Sequence, residues 1–309
     1  MLSCQVSQMK NILKRILQHK NELKSSKRTP TVETASSESK NYHFWKQSAI
    51  GNDLCAHRLY PEDTFLVSYP RSGNTWVRNI VARILYPSEN IVSLKHLNLL
   101  VPDIHKDMPQ GIPGAAPSTA PRVIKTHRPF PLRHNKLDGA LYKRNIYVSR
   151  HPYKVVLSLF HYRRFFEPDI SLAQVIYEFT VGDTRWSSWQ QHFLSWKAQE
   201  KERDILFLRY EDLRERPIEE IIKISDFLNP DSLISGLKAD EAKKINEACS
   251  LESMLEMEKR GSTKPQSFQF VRRQKEERKI SEKLTDEMKV VIYESCKYSM
   301  DLLGYATNL

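Results

Sequence analysis

From Phe44 onward, short apolar runs alternate with segments in which apolar residues recur every three or four positions. The first pattern predicts buried strands, and the second predicts helices that pack on them. Strands are expected at Thr64–Tyr69, Arg122–Thr126, Asn145–Ser149 and Ile205–Arg209. Helices are expected at 75–86, 153–166, 171–180, 186–200, 217–228, 238–248 and 282–302. Strands separated by helices predict an α/β fold of three layers, with a central parallel sheet flanked by helices on both faces.

The first 42 residues depart from this alternation. Apolar residues of the segment 9–24 lie near one helical face among lysines, and residues 25–41 are polar and rich in Ser and Thr. We therefore divide the chain into a basic N-terminal leader with a linker, 1–42, and a single domain, 43–309. The leader helix is expected to pack on the body or on a partner, and weak contact with an anionic membrane surface is the alternative.

The chain has 309 residues and a formal net charge of +11, which favours an anionic partner. However, the basic residues are spread along the chain, and no helix-turn-helix, zinc-finger or aromatic ribonucleoprotein motif is present, so no nucleic-acid partner is expected. One stretch, 257–283, is strongly basic with little apolar periodicity, which predicts a long loop.

The four cysteines lie far apart and form no C-x-x-C pair. This spacing predicts neither a disulfide framework nor a zinc site, and isolated thiols are typical of a reducing compartment. His161 and His192 have no Cys or acidic residue at ligand spacing, so no metal is expected. Because there is also no apolar run of about 18 residues and no signal-peptide pattern, we expect a cytoplasmic protein.

A short polar loop follows the first expected strand. Its residues are Arg71, Ser72, Gly73, Asn74, Thr75 and Trp76. A strand, a phosphate-sized loop and a helix in succession direct backbone N–H groups and a positive helix end at an anion. The loop therefore predicts a site for a phosphorylated ligand with a ring that can stack on an aromatic side chain. It lacks the G-x-x-x-x-G-K-[ST] spacing of nucleoside triphosphatases, so ATP is not the expected ligand.

Two further polar clusters follow the second and third expected strands. Lys125 and His127 lie at the end of the second strand, while Arg150 follows the third strand and Ser158 lies on the next helix. Since ligands of such sheets bind beyond the carboxyl ends of the strands, the clusters should share one site. A guanidinium and a hydroxyl can hold a phosphate, and a histidine is suited to taking a proton from a hydroxyl near pH 7.

Five segments resemble, in the same order, those of sulfotransferases that use 3′-phosphoadenosine-5′-phosphosulfate (PAPS). They are Tyr69–Trp76, Lys125–His127, Tyr147–Ser158, Ser188–Trp196 and Leu208–Leu213. The resemblance extends over about residues 44–305. It implies a P-loop-like phosphosulfate-binding loop and transfer of the sulfuryl group of PAPS to a hydroxyl or amine of a small-molecule acceptor. The second product would be 3′,5′-adenosine bisphosphate (PAP).

The resemblance also implies roles for individual residues. His127 would be the catalytic base, while Lys125 and Arg71 would stabilise charge at the transferred group. Arg71 stands where the relatives usually have lysine, which keeps the charge but changes its geometry. The residues implied to bind PAPS are Arg71, Ser72, Gly73, Asn74, Thr75 and Trp76 in the loop, Arg150 and Ser158 at the 3′-phosphate, Tyr210 at the adenine, and Ser250, Arg272 and Arg273 nearer the C-terminus.

Two departures from the family pattern keep alternatives open. The C-terminal R-K-G-x-x-G-D-W-K pattern is degraded, because the segment 270–274 keeps its cations but loses the glycine. The usual dimer motif is not recognisable, which leaves the oligomeric state open. A non-catalytic nucleotide-binding protein is one alternative, if Arg71 cannot replace lysine, but the intact His127 argues against it. A P-loop kinase is another, but it requires the missing G-K-[ST].

Overall fold

The computed structural model describes residues 59–104, 121–130, 142–229, 236–261 and 284–305. Within these ranges, four parallel strands form one sheet in the order β2-β1-β3-β4. The strands are β1 (Thr64–Ser68), β2 (Val123–Thr126), β3 (Arg144–Ser149) and β4 (Asp204–Arg209). The predicted α/β class and parallel sheet are confirmed, and each expected strand is present to within one residue at either end.

Among the described residues, helices lie between β1 and β2, between β3 and β4, and after β4. They are α1 (Asn74–Leu85), α2 (Leu94–Leu100), α3 (Pro152–Phe166), α4 (Leu172–Val181), α5 (Trp189–Lys197), α6 (Tyr210–Glu215), α7 (Pro217–Leu228), α8 (Ala239–Ala248), α9 (Leu251–Gly261) and α10 (Asp286–Leu302). The sequence pattern does not predict α2, α6 or α9. The first two have seven and six residues, too few for a helical period to be visible.

Helix α9 corrects the long loop that the sequence predicts from residue 257 onward. Residues 257–261 form the end of this helix. Two of the helix's side chains, Met254 and Met257, are buried. Their spacing of three places them on one helical face, a signal that the surrounding charged residues obscured. The rest of the expected loop, 262–283, lies outside the described residues.

The leader 1–42 also lies outside the described residues, and with it the helix and the membrane contact expected there. Of the helices that the structure does describe, none has the length and apolar character needed to cross a membrane.

Strand β1 is buried along its whole length, as expected for a strand covered on both faces. Successive side chains of a strand point to opposite faces. Leu66 accordingly belongs to the core formed with α1 and α7, whereas Phe65 and Val67 belong to the core formed with Phe193 and Trp196 of α5. The sheet is therefore the middle layer, and its central strand contributes to the core on either side.

A further core joins α3, α4 and α10. At its edge, Arg163 of α3 and Glu178 of α4 form an ion pair in which both side chains are almost fully buried. Arg163 also pairs with Glu167 at 2.9 Å. Because a buried charge that loses its partner is strongly destabilising, this pair fixes the packing of α3 on α4.

We expect Glu178→Ala to lower the free energy of unfolding by about 3 kcal/mol, because it leaves the buried Arg163 guanidinium with less compensation. Chemical denaturation followed by circular dichroism measures this change. Glu294→Ala is the matched control, since Glu294 pairs with the half-exposed Lys297 at 3.0 Å and its loss should change the free energy of unfolding little. Equal effects from the two substitutions would contradict a structural role for the buried pair.

Candidate functional site

The loop between β1 and α1 has an unusual backbone. Arg71 and Gly73 both have left-handed conformations, with φ of 72° and 95°. The Gly73 carbonyl accepts a hydrogen bond from the Trp76 N–H at 3.0 Å, which begins α1. A left-handed non-glycine residue costs on the order of 1–3 kcal/mol, and such strain is concentrated at functional sites. The conformation of Arg71 therefore marks this loop as a candidate binding element.

No side chain fits at Gly73. A Cβ atom at this position would lie 2.4 Å from Cδ2 of Tyr210, the first residue of α6. The Tyr210 ring also contacts Trp76 edge-on, at 5.4 Å between ring centroids, and the Arg150 guanidinium lies over it at 4.3 Å. Residues from three separate motifs therefore form one continuous surface of backbone, aromatic rings and a cation.

Arg71 lies beside the predicted 3′-phosphate residues. Its Nε donates a hydrogen bond to Oγ of Ser158 at 3.1 Å, and its own carbonyl oxygen accepts one from Nη1 of Arg150 at 3.3 Å. The Arg71 guanidinium also covers the ring of Tyr162, at 5.0 Å from the centroid. Two guanidinium groups and a hydroxyl thus converge at the carboxyl ends of β1 and β3, an arrangement suited to phosphate oxygens.

The strand end that carries Arg150 is fastened to α6. The backbone N–H of His151 donates to Oε1 of Glu211 at 3.0 Å, and the Tyr305 hydroxyl donates to Oε2 of the same carboxylate at 2.9 Å. Burial raises the pKa of Tyr305 well above its ordinary value, so the phenol keeps the proton that it donates. Glu211 lies in a family-like segment, but its sequence gives no sign of these partners.

His127 follows β2 directly and lies against the end of β1. Its Nδ1 is 2.7 Å from the backbone carbonyl oxygen of Ser68. A carbonyl can only accept, so Nδ1 carries the proton, and the neutral ring has its lone pair on Nε2. The ring also packs edge-on against Trp186, at 5.6 Å between centroids. His127 is therefore held in the tautomer in which Nε2 can act as a base.

Ser68 connects the base to the loop. Its Oγ accepts a hydrogen bond from Nδ2 of Asn74 at 3.0 Å, while its carbonyl oxygen accepts the one from His127. Within the described residues, the buried Oγ of Ser72 and Oδ1 of Asn74 have no hydrogen-bond partner. Since buried polar atoms are seldom left without partners, the loop has unused capacity for a ligand.

Lys125 is paired with an acid that the sequence analysis did not single out. Its Nζ lies 2.8 Å from Oδ2 of Asp103, and both side chains are about a tenth exposed. Lys125 is the last residue but one of β2 and His127 follows that strand directly, so the ion pair and the base lie at the same end of β2. Asp103 reaches Lys125 because residues 102–104 run parallel to β2 as an isolated bridge, which no local pattern indicates.

Helix α5 fixes the backbone of the segment that follows β2. Three of its side chains bond to the backbone of residues 127–130. The pairs are His192 Nε2 with the His127 oxygen (3.0 Å), Trp196 Nε1 with the Arg128 oxygen (2.9 Å) and Ser195 Oγ with the Phe130 nitrogen (2.9 Å). The only sequence signal for this arrangement is the family-like segment Ser188–Trp196.

The remaining predicted residues are Thr75, Ser250, Arg272 and Arg273. Thr75 is half-buried in the first turn of α1. Ser250 caps the start of α9, where its Oγ accepts from the Ser253 N–H at 3.3 Å. Arg272 and Arg273 lie outside the described residues. Among the residues that the structure describes, no group of three His, Cys, Asp or Glu side chains is placed to hold a metal ion.

Comparison with known proteins gives a consistent set of relatives. Rat sulfotransferase 1E1 is 30% identical over 185 residues, which make up 56% of this chain and 61% of the relative. Dog sulfotransferase 1B1 is 31% identical over 182 residues, or 54% of this chain and 59% of the relative. The chain thus spans about three fifths of the length of these curated relatives.

Solved structures show the same fold. Mouse sulfotransferase SULT7A1, complexed with PAP, superposes with a TM-score of 0.57 and 22% identity, covering 83% of this chain and 94% of the mouse chain. Retinol dehydratase, in complex with androsterone and inactive cofactor PAP, gives a TM-score of 0.56 and 21% identity, covering 81% and 83% of the two chains.

The family itself is identified by its sequence model, which is described as a sulfotransferase domain and matches residues 61–304. This range contains all five segments that resemble the family and every strand of the sheet. The chain therefore belongs to the sulfotransferase domain family.

Proposed function

We propose that this protein transfers the sulfuryl group of PAPS to a hydroxyl or amine of a small-molecule acceptor and releases PAP. The observation that carries the proposal is the convergence of separate motifs. The strained loop at Arg71, the Tyr210 ring and the Arg150 guanidinium form one surface, and His127, with its lone pair on Nε2, lies one strand away.

The residues fit PAPS. Arg71 and Arg150 offer guanidinium groups to its phosphates, and the buried Ser72 hydroxyl, which has no partner among the described residues, can donate to a further oxygen. Trp76 and Tyr210 offer aromatic surface to the adenine. When bound, PAPS supplies an activated sulfuryl group, whereas these residues bind and orient it.

His127 is the proposed base. The hydrogen bond from Nδ1–H to the Ser68 carbonyl leaves Nε2 to accept the proton of the acceptor's hydroxyl or amine. The same bond becomes stronger when the ring turns cationic, because a charged donor strengthens it. Lys125, at the same end of β2, adds a positive charge that offsets negative charge developing at the reacting group. Its ion pair with Asp103 moderates this effect.

The family resemblance also supports a small-molecule acceptor, since the relatives found in complexes include one with androsterone. A cytoplasmic location, a single domain over 43–309 and the absence of a nucleic-acid partner remain predictions from the sequence.

A thermal-shift measurement tests the donor site. PAP should raise the melting temperature far more than ADP or ATP at equal concentration, because only PAP carries the 3′-phosphate that Arg150 is proposed to bind. When the PAP concentration is 100 times its Kd, bound PAP should raise the free energy of unfolding by about 2.7 kcal/mol. A preference for ATP would favour the kinase alternative. Selective binding of PAP without turnover of PAPS across an acceptor panel would favour the non-catalytic alternative.

Substitution of the base should separate turnover from binding. We expect His127→Ala to lower kcat by about 10²–10⁴-fold, the usual contribution of general base catalysis, with little change in the affinity for PAP. Steady-state kinetics and isothermal titration calorimetry measure the two quantities. His96→Ala, on α2, is the matched control, because His96 pairs with Glu89 rather than with the site. Normal turnover by His127→Ala would eliminate the assignment of the base.

Substitution of Arg150 should discriminate between nucleotides. We expect Arg150→Ala to weaken the binding of PAP by about 10–100-fold, because it removes a charge-assisted hydrogen bond that contributes about 1.5–3 kcal/mol. Adenosine 5′-phosphate, which lacks the 3′-phosphate, should be affected much less. Arg214→Ala, at the exposed end of α6, should change neither affinity. If Arg150→Ala weakened both nucleotides equally, the assignment of Arg150 to the 3′-phosphate would be wrong.

A further inference from the structure

His192 is a fully buried side chain that makes hydrogen bonds through both ring nitrogens. Its Nε2 lies 3.0 Å from the backbone carbonyl oxygen of His127, and its Nδ1 lies 2.9 Å from the hydroxyl oxygen of Tyr147. Tyr147 belongs to β3 and is itself buried. The base is thus linked through α5 to a neighbouring strand of the sheet.

The direction of each hydrogen bond follows from chemistry. A carbonyl only accepts, so His192 Nε2 carries the proton, and Nδ1 of the neutral ring accepts from the Tyr147 hydroxyl. Burial lowers the pKa of His192 to about 3 and raises the pKa of Tyr147 well above its ordinary value. Near neutral pH the ring is therefore uncharged and the phenol is protonated, and donation runs from Tyr147 to His192 to His127.

His127 is consequently held at two points from different elements. Its ring is fixed by the Ser68 carbonyl at the end of β1, and its backbone carbonyl is fixed by His192 on α5. Ser68 belongs to β1, and His192 is bonded to Tyr147 of β3. Because β1 and β3 are paired, with Val67 opposite Tyr147, both contacts to His127 are anchored in the sheet.

We propose that His192 is a positioning residue for the transfer reaction, which holds the His127 backbone so that the His127 ring keeps its place against Ser68. Tyr147 orients His192 by fixing which ring nitrogen carries the proton. This inference rests on the proposed function, in which His127 is the base.

Three variants separate the donated hydrogen bond from simple packing. His192→Phe keeps a ring of similar size but has no donor, and we expect kcat to fall by about 10–100-fold, as small displacements of catalytic groups do. His192→Gln can place an amide N–H near the position of Nε2, and it should recover most of that loss. Tyr147→Phe keeps the His192 ring but removes its orienting hydroxyl, so its kcat should fall between the two. In all three, KM for PAPS and the PAP thermal shift should stay near wild type.

Gln190→Ala is the matched control on the same helix. Gln190 contacts α10, where its Oε1 accepts a hydrogen bond from the Ser299 N–H at 3.3 Å. It therefore tests the packing of α5 rather than the contact with the His127 backbone. This variant should lower the melting temperature while leaving kcat unchanged. The inference would be overturned if Gln190→Ala reduced kcat as much as His192→Phe at a similar loss of stability. A folded His192→Gln that is as slow as His192→Phe would also overturn it.

A readout without turnover distinguishes this inference from the proposed function. Long-range ¹H–¹⁵N NMR spectra of histidine rings report which nitrogen is protonated, and the His127 signals can be identified by their loss in His127→Ala. We expect the Nδ1–H form of His127 in wild type and His192→Gln, and averaging between the two forms in His192→Phe. Unchanged His127 signals in folded His192→Phe would refute the positioning role. Wild-type protein with the expected signals but no sulfuryl transfer would refute the proposed function instead.

Discussion

Strand β1 has a parallel neighbour on each side, and these two pairings bring the Arg71 loop, His127 and Arg150 together. Val67 lies opposite Thr126 of β2 and opposite Tyr147 of β3, so the three strands end close to one another, with β3 running slightly further. Polar residues follow each of these strands: the loop that contains Arg71 after β1, His127 after β2 and Arg150 after β3. A register shift of one residue would send the side chains of a strand to the opposite face. The register therefore determines whether the loop, the base and the second arginine meet.

The contacts that hold the base use backbone carbonyl groups rather than charged side chains. The carbonyl oxygens of Ser68, His127 and Arg128 all accept hydrogen bonds from rings. Such a bond contributes only about 1 kcal/mol to stability. Its value here lies in geometry, because a carbonyl at the end of a paired strand cannot move without disturbing the sheet. Two of the donors, His192 and Trp196, are fully buried on α5.

Much of the fold could be predicted because its signals are local. The apolar runs of the four strands and the loop from Arg71 to Trp76 are visible within a few residues of sequence. Contacts between distant segments could not be predicted in this way. Nothing near Gly73 indicates that the Tyr210 ring fills the space where a side chain would stand, and nothing near Asp103 indicates its pairing with Lys125.

The same distinction applies to residues named from the resemblance. Ser158 and Tyr210 are brought to the loop by α3 and β4, whereas Ser250 bonds locally at the start of α9. A motif position therefore does not by itself indicate which contacts its side chain makes, because these depend on the strand or helix that carries it. His192 illustrates the opposite error. Its sequence spacing gave no reason to expect a metal site, and its proposed role depends on Tyr147 and His127, which are far away along the chain.

Arg71 makes contacts in the loop that use the particular shape of an arginine side chain. Its contact with Ser158 uses Nε, the inner nitrogen of the guanidinium, and the guanidinium carbon lies over the Tyr162 ring. An arginine can make such contacts and still direct its outer nitrogens at an anion, because its five N–H groups form a rigid fork. A lysine has a single charged nitrogen and no planar group. It could not contact Ser158, the Tyr162 ring and an anion in the way that the arginine can. In this chain, the loop cation is therefore tied to α3 as well as to the proposed donor site, which couples the position of Ser158 to that of the loop.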